Sequence, residues 1–190
     1  MDRDTILAGE RVYLDNLDDS RRPLEEQLFG GDFASPILER GYLQPHELAS
    51  IARWKWYGAA TRAQSGNSPE ITERFTRAAI AHRDDPRLAI WILTYLYGAH
   101  VRMASAILAV LFPDEYTVMD ARAFTALETL GWTPDLAQVF GDQPAPTDFL
   151  DRASVYECYL LTCRAKAAEF GVSLRTLDRF LYTRGIGADE

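Results

Sequence analysis

Lysine is nearly missing from this chain of 190 residues: its 20 basic side chains are 18 Arg and only two Lys, Lys55 and Lys166. Cysteine is as scarce. Cys158 and Cys163 stand five apart on what reads as one helix, too few for a four-Cys zinc ribbon or an iron–sulfur cluster, and they offer no disulfide framework. The three His (46, 82 and 100) are scattered, so no metal site is expected. The chain also has no phosphate-binding glycine loop, dinucleotide fingerprint, HExxH pair or nucleophile-elbow Ser, and no cofactor is expected. The strongest apolar stretches, near 88–97 and 103–112, are too short and too close to a turn to span a bilayer. The opening MDRDTILAGERVYLD is acidic and lacks the apolar core of a secretory leader. These absences together lead to the expectation of a cytoplasmic, reduced, monomeric protein with no membrane partner.

What is present is ordinary for a globular protein: 47% hydrophobic and 25% charged residues, with length for one domain or two small lobes sharing a core. With 28 acidic against 20 basic side chains, the net charge of −8 speaks against a protein that coats nucleic acid or an anionic membrane. The charge is unevenly placed, however. Residues 1–50 carry net −6, residues 51–105 carry net +4 and residues 106–190 carry net −6. The basic middle either forms an anion-binding face or is a set of solvated helix surfaces.

Apolar spacing is helical nearly throughout, and the fold class is read as all-α. One helix is expected over 46–64, stopped at Ser65-Gly66-Asn67. Ser68-Pro69 and Asp85-Pro86 each supply a cap followed by proline at the first helical position, opening helices over 70–83 and 87–97. Gly98 breaks the second of these, and 101–112 follows as an apolar helix stopped by Pro113. Asp120 caps 121–130, which ends on Gly131. Short, long and terminal helices are expected to about 140, over 148–170 and over 174–184. The first forty residues read weakly, with one helix at 23–29 and irregular chain around Gly30-Gly31 and Pro36. Residues 116–119 are the best candidate for an extended segment.

One constellation rises above this background: LTYLYGAHVRMASAILAVLFPDEYTVMDARAFTALETLGW, residues 93–132. It is an apolar helix, a tight turn at Gly98-Ala99-His100, a second apolar helix, a proline-stopped loop, and Val-Met-Asp leading into a helix that ends Leu-Gly. It resembles the helix-hairpin-helix superfamily of DNA glycosylases, whose hairpin usually reads Leu-Pro-Gly-Val-Gly-x-Lys-x-Ala. Leu96, Gly98, Met103-Ala104 and the following helix match the hairpin frame, and Asp120 falls at the catalytic aspartate. Tyr97 stands where the family has proline, Ala99-His100 replace Val-Gly, and Arg102 stands where bifunctional members carry the catalytic Lys. The cysteine count excludes the cluster-bearing subfamily.

The resemblance implies a single domain over 1–190, two-lobed and helical, with the hairpin and aspartate segment at about 88–132. It implies a monofunctional enzyme that hydrolyses the N-glycosidic bond of a base extruded from double-stranded DNA, using Asp120 and water and leaving an abasic site. The hairpin residues Gly98, Ala99, His100, Val101 and Arg102 would hold a backbone phosphate through N–H groups and a helix N-terminus, which need little side-chain charge. Base loss passes through an oxocarbenium-like sugar, so an ionised carboxylate near C1′ is the main requirement, and a helix N-terminus favours the ionised form. Trp54, Lys55, Trp56 and Tyr57 are the candidate pocket for the flipped base. Being two apart on one helix, Trp54 and Trp56 are expected on different faces, so that at most one lines the pocket. The base itself is not legible. Housekeeping repair, and removal of a hypermodified (for example glucosylated) pyrimidine from phage DNA in bacterial defence, both fit. Two further readings stand beside this one. The first is an inactive nucleic-acid- or protein-binding module in which Asp120 only caps its helix; the second is an N-glycosidase acting on nucleosides or RNA.

Overall fold

The computed structural model describes residues 1–56 and 58–185, and among them every regular element is helical. The chain begins with a helix that its sequence signals weakly, α1 (Arg3–Asp15), opened by Asp2, whose side chain accepts from the Thr5 N–H at 2.9 Å. α2 (Arg22–Glu25) runs into a wide π turn (Glu26–Gly30), and α3 (Ala34–Arg40) ends on left-handed Gly41. The expected irregular chain around Pro36 is therefore helical, because proline in the first turn of α3 gives up an N–H that has no helical partner there.

The long helix expected over 46–64 is two helices. α4 (Pro45–Lys55) stops where Trp56 turns to extended backbone (φ −157°, ψ 113°), and α5 (Ala59–Gly66) restarts after Gly58. The Ser68 and Asp85 caps open α6 (Pro69–Ala81) and α7 (Pro86–Leu93) as their sequences direct. A turn through Gly98 (φ 78°) then leads into α8 (Val101–Leu111). α9 (Ala121–Thr129), the short α10 (Ala137–Phe140), α11 (Ala153–Phe170) and α12 (Leu174–Arg184) complete the chain.

α8 is buried on all sides from Ala104 onward, packing against α3, α4, α7 and α11, and the buried residues form one cluster around it. α1 and α12, from opposite ends of the chain, lie against each other, and α12 also lies against α9. Their contact is close: a Cβ on Gly9 would sit 2.5 Å from the Phe180 ring.

The turn between α7 and α8 is held by a side chain from the segment between α5 and α6. The buried Asn67 amide donates to the Tyr97 carbonyl at 3.1 Å, and its oxygen accepts the Tyr97 N–H at 2.8 Å. Gly98 beside it holds a positive φ, a conformation that costs a residue bearing Cβ about 1–2 kcal/mol. No described helix is long and apolar enough to cross a membrane.

Candidate functional site

Residues 116–119 form no strand. They run extended between α8 and α9, and side chains satisfy their backbone groups. The Tyr156 hydroxyl donates to the Thr117 carbonyl at 2.9 Å and the Tyr159 hydroxyl to that of Val118 at 3.0 Å. The Met119 N–H donates to Ser105 Oγ at 3.0 Å, while the same hydroxyl donates to the Arg102 carbonyl at 2.9 Å. Ser105 is fully buried on α8. One hydroxyl thus ties the first turn of α8 to the segment that delivers Asp120.

Asp120 caps α9 as expected, with Oδ1 accepting the Ala123 N–H at 2.9 Å. Its other oxygen, Oδ2, meets Lys55 Nζ at 3.1 Å, and both side chains are largely buried. Burial alone would push the carboxyl up, but the Lys55 ammonium, the Ala123 N–H and the charge of Arg122 outweigh it and hold Asp120 below the ordinary carboxylate range. Capping and charge pairing therefore use different oxygens of one side chain.

A cavity of 590 Å³ opens at this pair. Trp54, Lys55, Trp56, Gly98, His100, Arg102 and Asp120 all line it, so the hairpin, the aspartate and the tryptophan pair converge on one space. Both tryptophans take part, contrary to the expectation that only one would. Because α4 ends at Lys55, Trp56 no longer follows helical spacing: Trp54 is 8% exposed in the wall and Trp56 is 56% exposed. Tyr57 lies outside the described residues. Ala99 and Val101 are buried and do not line the cavity, so backbone groups are what they can offer. His100 opens α8 without a side-chain cap bond, and the first N–H groups of the helix are unpartnered within it, as in any helix. Arg102 lies 3.8 Å from Asp151; both are half exposed, and such a pair contributes little.

Part of the lining was not anticipated. Tyr13, Arg122, Arg175, Asp178 and Tyr182 come from α1, α9 and α12. Behind them lies a buried charge network. Glu25 accepts from Trp54 Nε1 at 2.7 Å, from the Tyr13 hydroxyl at 3.1 Å, from Arg179 at 2.9 Å and from Arg175. Arg175 also donates to Asp178 and lies over the rings of Phe29 (4.0 Å) and Trp54 (5.1 Å). Burial opposes ionisation of Glu25, yet Arg175 and Arg179 keep it below its usual range. Asp178 behaves oppositely: burial, with the charges of Asp120 and Glu25, outweighs Arg175 and Lys55 and raises it to about 6. The folded state thus holds the Asp178 proton more tightly than an unfolded chain does. Sign for sign, this group weakens the fold as pH rises from about 4 through 6.

Lys55→Met is expected to reverse the balance at Asp120. Burial then dominates and the carboxyl titrates at higher pH. In the native protein Asp120 contributes stability above the unfolded carboxyl pKa and loses it as pH falls through its depressed one. The variant should lose that contribution, about 1–3 kcal/mol for a largely buried charged partner removed. Thermal melts between pH 3 and 7 check this: the two proteins should differ most near neutrality and converge in acid.

Among the described residues, no three His, Cys, Asp or Glu side chains are grouped so as to hold a metal ion. No protein-family model, curated protein or solved structure matches the chain.

Proposed function

We propose that this protein is a monofunctional DNA glycosylase that removes a damaged or modified base from double-stranded DNA. The observation that carries the reading is the convergence of Asp120, the 98–102 turn and the Trp54–Trp56 segment on one cavity. Asp120 is held ionised, and its carboxylate stabilises the positive charge that develops on the sugar as the base departs. The same carboxylate orients and deprotonates the attacking water. The turn and the first N–H groups of α8 hold a backbone phosphate on the strand that carries the extruded nucleotide. The base leaves the stack for the cavity, where the exposed Trp56 indole provides a face to stack on and Trp54 forms part of the wall. At 590 Å³ the space is of the size that holds a drug-like ligand, with room for a base enlarged by a substituent, such as a glucosylated pyrimidine, as well as for a bare ring.

Lys55 enters as an ammonium clamped on Asp120 rather than as a nucleophile. Lys166 is remote from the cavity, paired with Glu169 at 2.8 Å and lying over the Trp132 ring. Lys166 is outside the cavity and the Lys55 amine is held as the ion-pair partner of Asp120, so strand cleavage should require added alkali.

The test is a panel of duplexes bearing uracil, 8-oxoguanine, hypoxanthine, N-methylated purines, 5-hydroxymethylcytosine or its glucosylated form, each treated with alkali after incubation. Excision of at least one base, with nicks only after alkali, is the expected result. Nicks without alkali, with protein trapped on DNA by borohydride, would overturn the monofunctional assignment and point to Lys55. Salt-sensitive binding with no excision from any duplex would replace the enzyme with a binding module in which Asp120 is only a cap.

A further inference from the structure

The cavity contains a second carboxylate, and its bonding differs from that of every other buried acid around it. Glu25 is saturated, with donors from Tyr13, Trp54, Arg175 and Arg179. Asp120 is engaged through both oxygens. Asp178 is 5% exposed, yet it lines the cavity and is held through Oδ2 alone, by Arg175. Its Oδ1 has no hydrogen-bond partner among the described residues. Arg175 is itself fixed by Glu25 and by the rings of Phe29 and Trp54, so Asp178 is a rigidly placed carboxyl with one side still to be used.

We propose that Asp178 is the acid that protonates the departing base, the partner of Asp120 on the other side of the glycosidic bond. This deepens the glycosylase reading above and rests on it. As the N–C1′ bond breaks, its electron pair goes to the base nitrogen, and the Asp178 proton goes to an acceptor atom of the base through Oδ1. Water adds to C1′ and gives a proton to Asp120; Asp120 then releases that proton to solvent, and Asp178 takes one up from solvent. The sum is hydrolysis, with both carboxyl groups restored.

The surroundings suit the task. Facing Asp178 are Arg175 on its own helix, Lys55 on α4 and Asp120 at the head of α9. Glu25 at the end of α2, Tyr13 on α1, and Tyr159 and Cys163 on α11 lie around it, and Arg122 on α9 and Tyr182 on α12 line the same cavity. Burial and the two neighbouring carboxylates keep Asp178 protonated to about pH 6, while Lys55 keeps Asp120 ionised well below that. Two carboxyl groups in one cavity with their titrations pushed apart is the arrangement that divides acid from base work.

The experiment is the pH profile of single-turnover excision, on whichever duplex of the panel the native protein cleaves. The expected rate falls as pH rises through about 6 and also falls in acid as Asp120 protonates. Asp178→Asn should lower the rate at pH 6 about 100-fold or more and abolish the alkaline limb. It should still bind a duplex containing a tetrahydrofuran abasic analogue. A structural role alone would lower the melting temperature and leave the limb in place. Where melting shows that the Asn variant is impaired in folding, the native profile and Asp178→Glu, which keeps the carboxyl and should keep the limb, decide instead. A native profile flat between pH 5.5 and 7.5, or an Asn variant that retains the limb, overturns Asp178 and leaves the glycosylase reading intact. A native protein that excises nothing overturns both.

Discussion

Asp120→Asn should lose excision by about a thousandfold or more while remaining as folded as the native protein. Both halves of that outcome follow from how the two oxygens of Asp120 are used. Asn caps helices about as well as Asp, so the bond to the Ala123 N–H survives and α9 keeps its start. Only the charge is lost. Removing one preorganised group that stabilises transition-state charge costs on the order of 10²–10³ in rate, and in the proposed mechanism the same group also handles the water. Stability should fall by about 1–3 kcal/mol, as for Lys55→Met, because the largely buried Lys55 ammonium keeps a hydrogen bond but loses its counter-charge. A duplex carrying a cationic pyrrolidine in place of the sugar provides a readout independent of the base. The native protein should bind it more tightly than the neutral tetrahydrofuran duplex, and Asp120→Asn should bind the two alike. An Asn variant with native excision would reduce Asp120 to a cap.

The largest effect on stability is expected at Arg175. Its side chain is 12% exposed, and its ion-pair partners Glu25 and Asp178 are 3% and 7% exposed. Arg175→Met keeps much of the packing against Phe29 and Trp54 but leaves Asp178 without its only described hydrogen bond and Glu25 short of one cation. Breaking a buried pair by deleting one partner costs about 3–5 kcal/mol, and for a chain of this length that corresponds to a melting-temperature drop on the order of 10 °C. The pH dependence is distinctive. Glu25 contributes stability above the unfolded carboxyl pKa because its cations hold it down, and without Arg175 burial pushes both carboxyls up. The deficit should therefore be greatest near neutrality and shrink as both acids protonate. Arg175→Lys should rescue little, since a single ammonium cannot reach two carboxylates as a planar guanidinium does. A Met variant melting within 2 °C of the native protein at pH 7 would remove the network from any account of stability.

The helical order of the C-terminal three quarters, and Asp120 at the head of its helix, were legible because both depend on local chemistry: Ser68, Asp85, Asp120 and Ser173 cap the helices they precede. The site was only half legible, because its other half depends on contacts between chain ends. Glu25 and Arg175 are 150 residues apart and meet only once α1 and α12 have paired. The break after Lys55 was hidden because 46–64 keeps helical apolar spacing across it, and tertiary packing overrode that spacing. One signal did stand in the sequence. Residues 174, 177, 178 and 181 fall at i, i+3, i+4 and i+7, the buried stripe of α12, and are Leu, Leu, Asp and Leu. An acid in an apolar stripe must either find a cation or serve a purpose; Asp178 has the cation, and the pH profile tests the purpose.

The Ser105 hydroxyl, bonded to both the Arg102 carbonyl and the Met119 N–H, makes the turn proposed to hold a phosphate and the carboxylate two marks on one ruler. A strand seated at the turn brings a sugar to Asp120 only if its own rise per nucleotide matches that fixed span. Selectivity of this kind is metric: it would tell a kinked B-form backbone from an A-form one before any base was inspected.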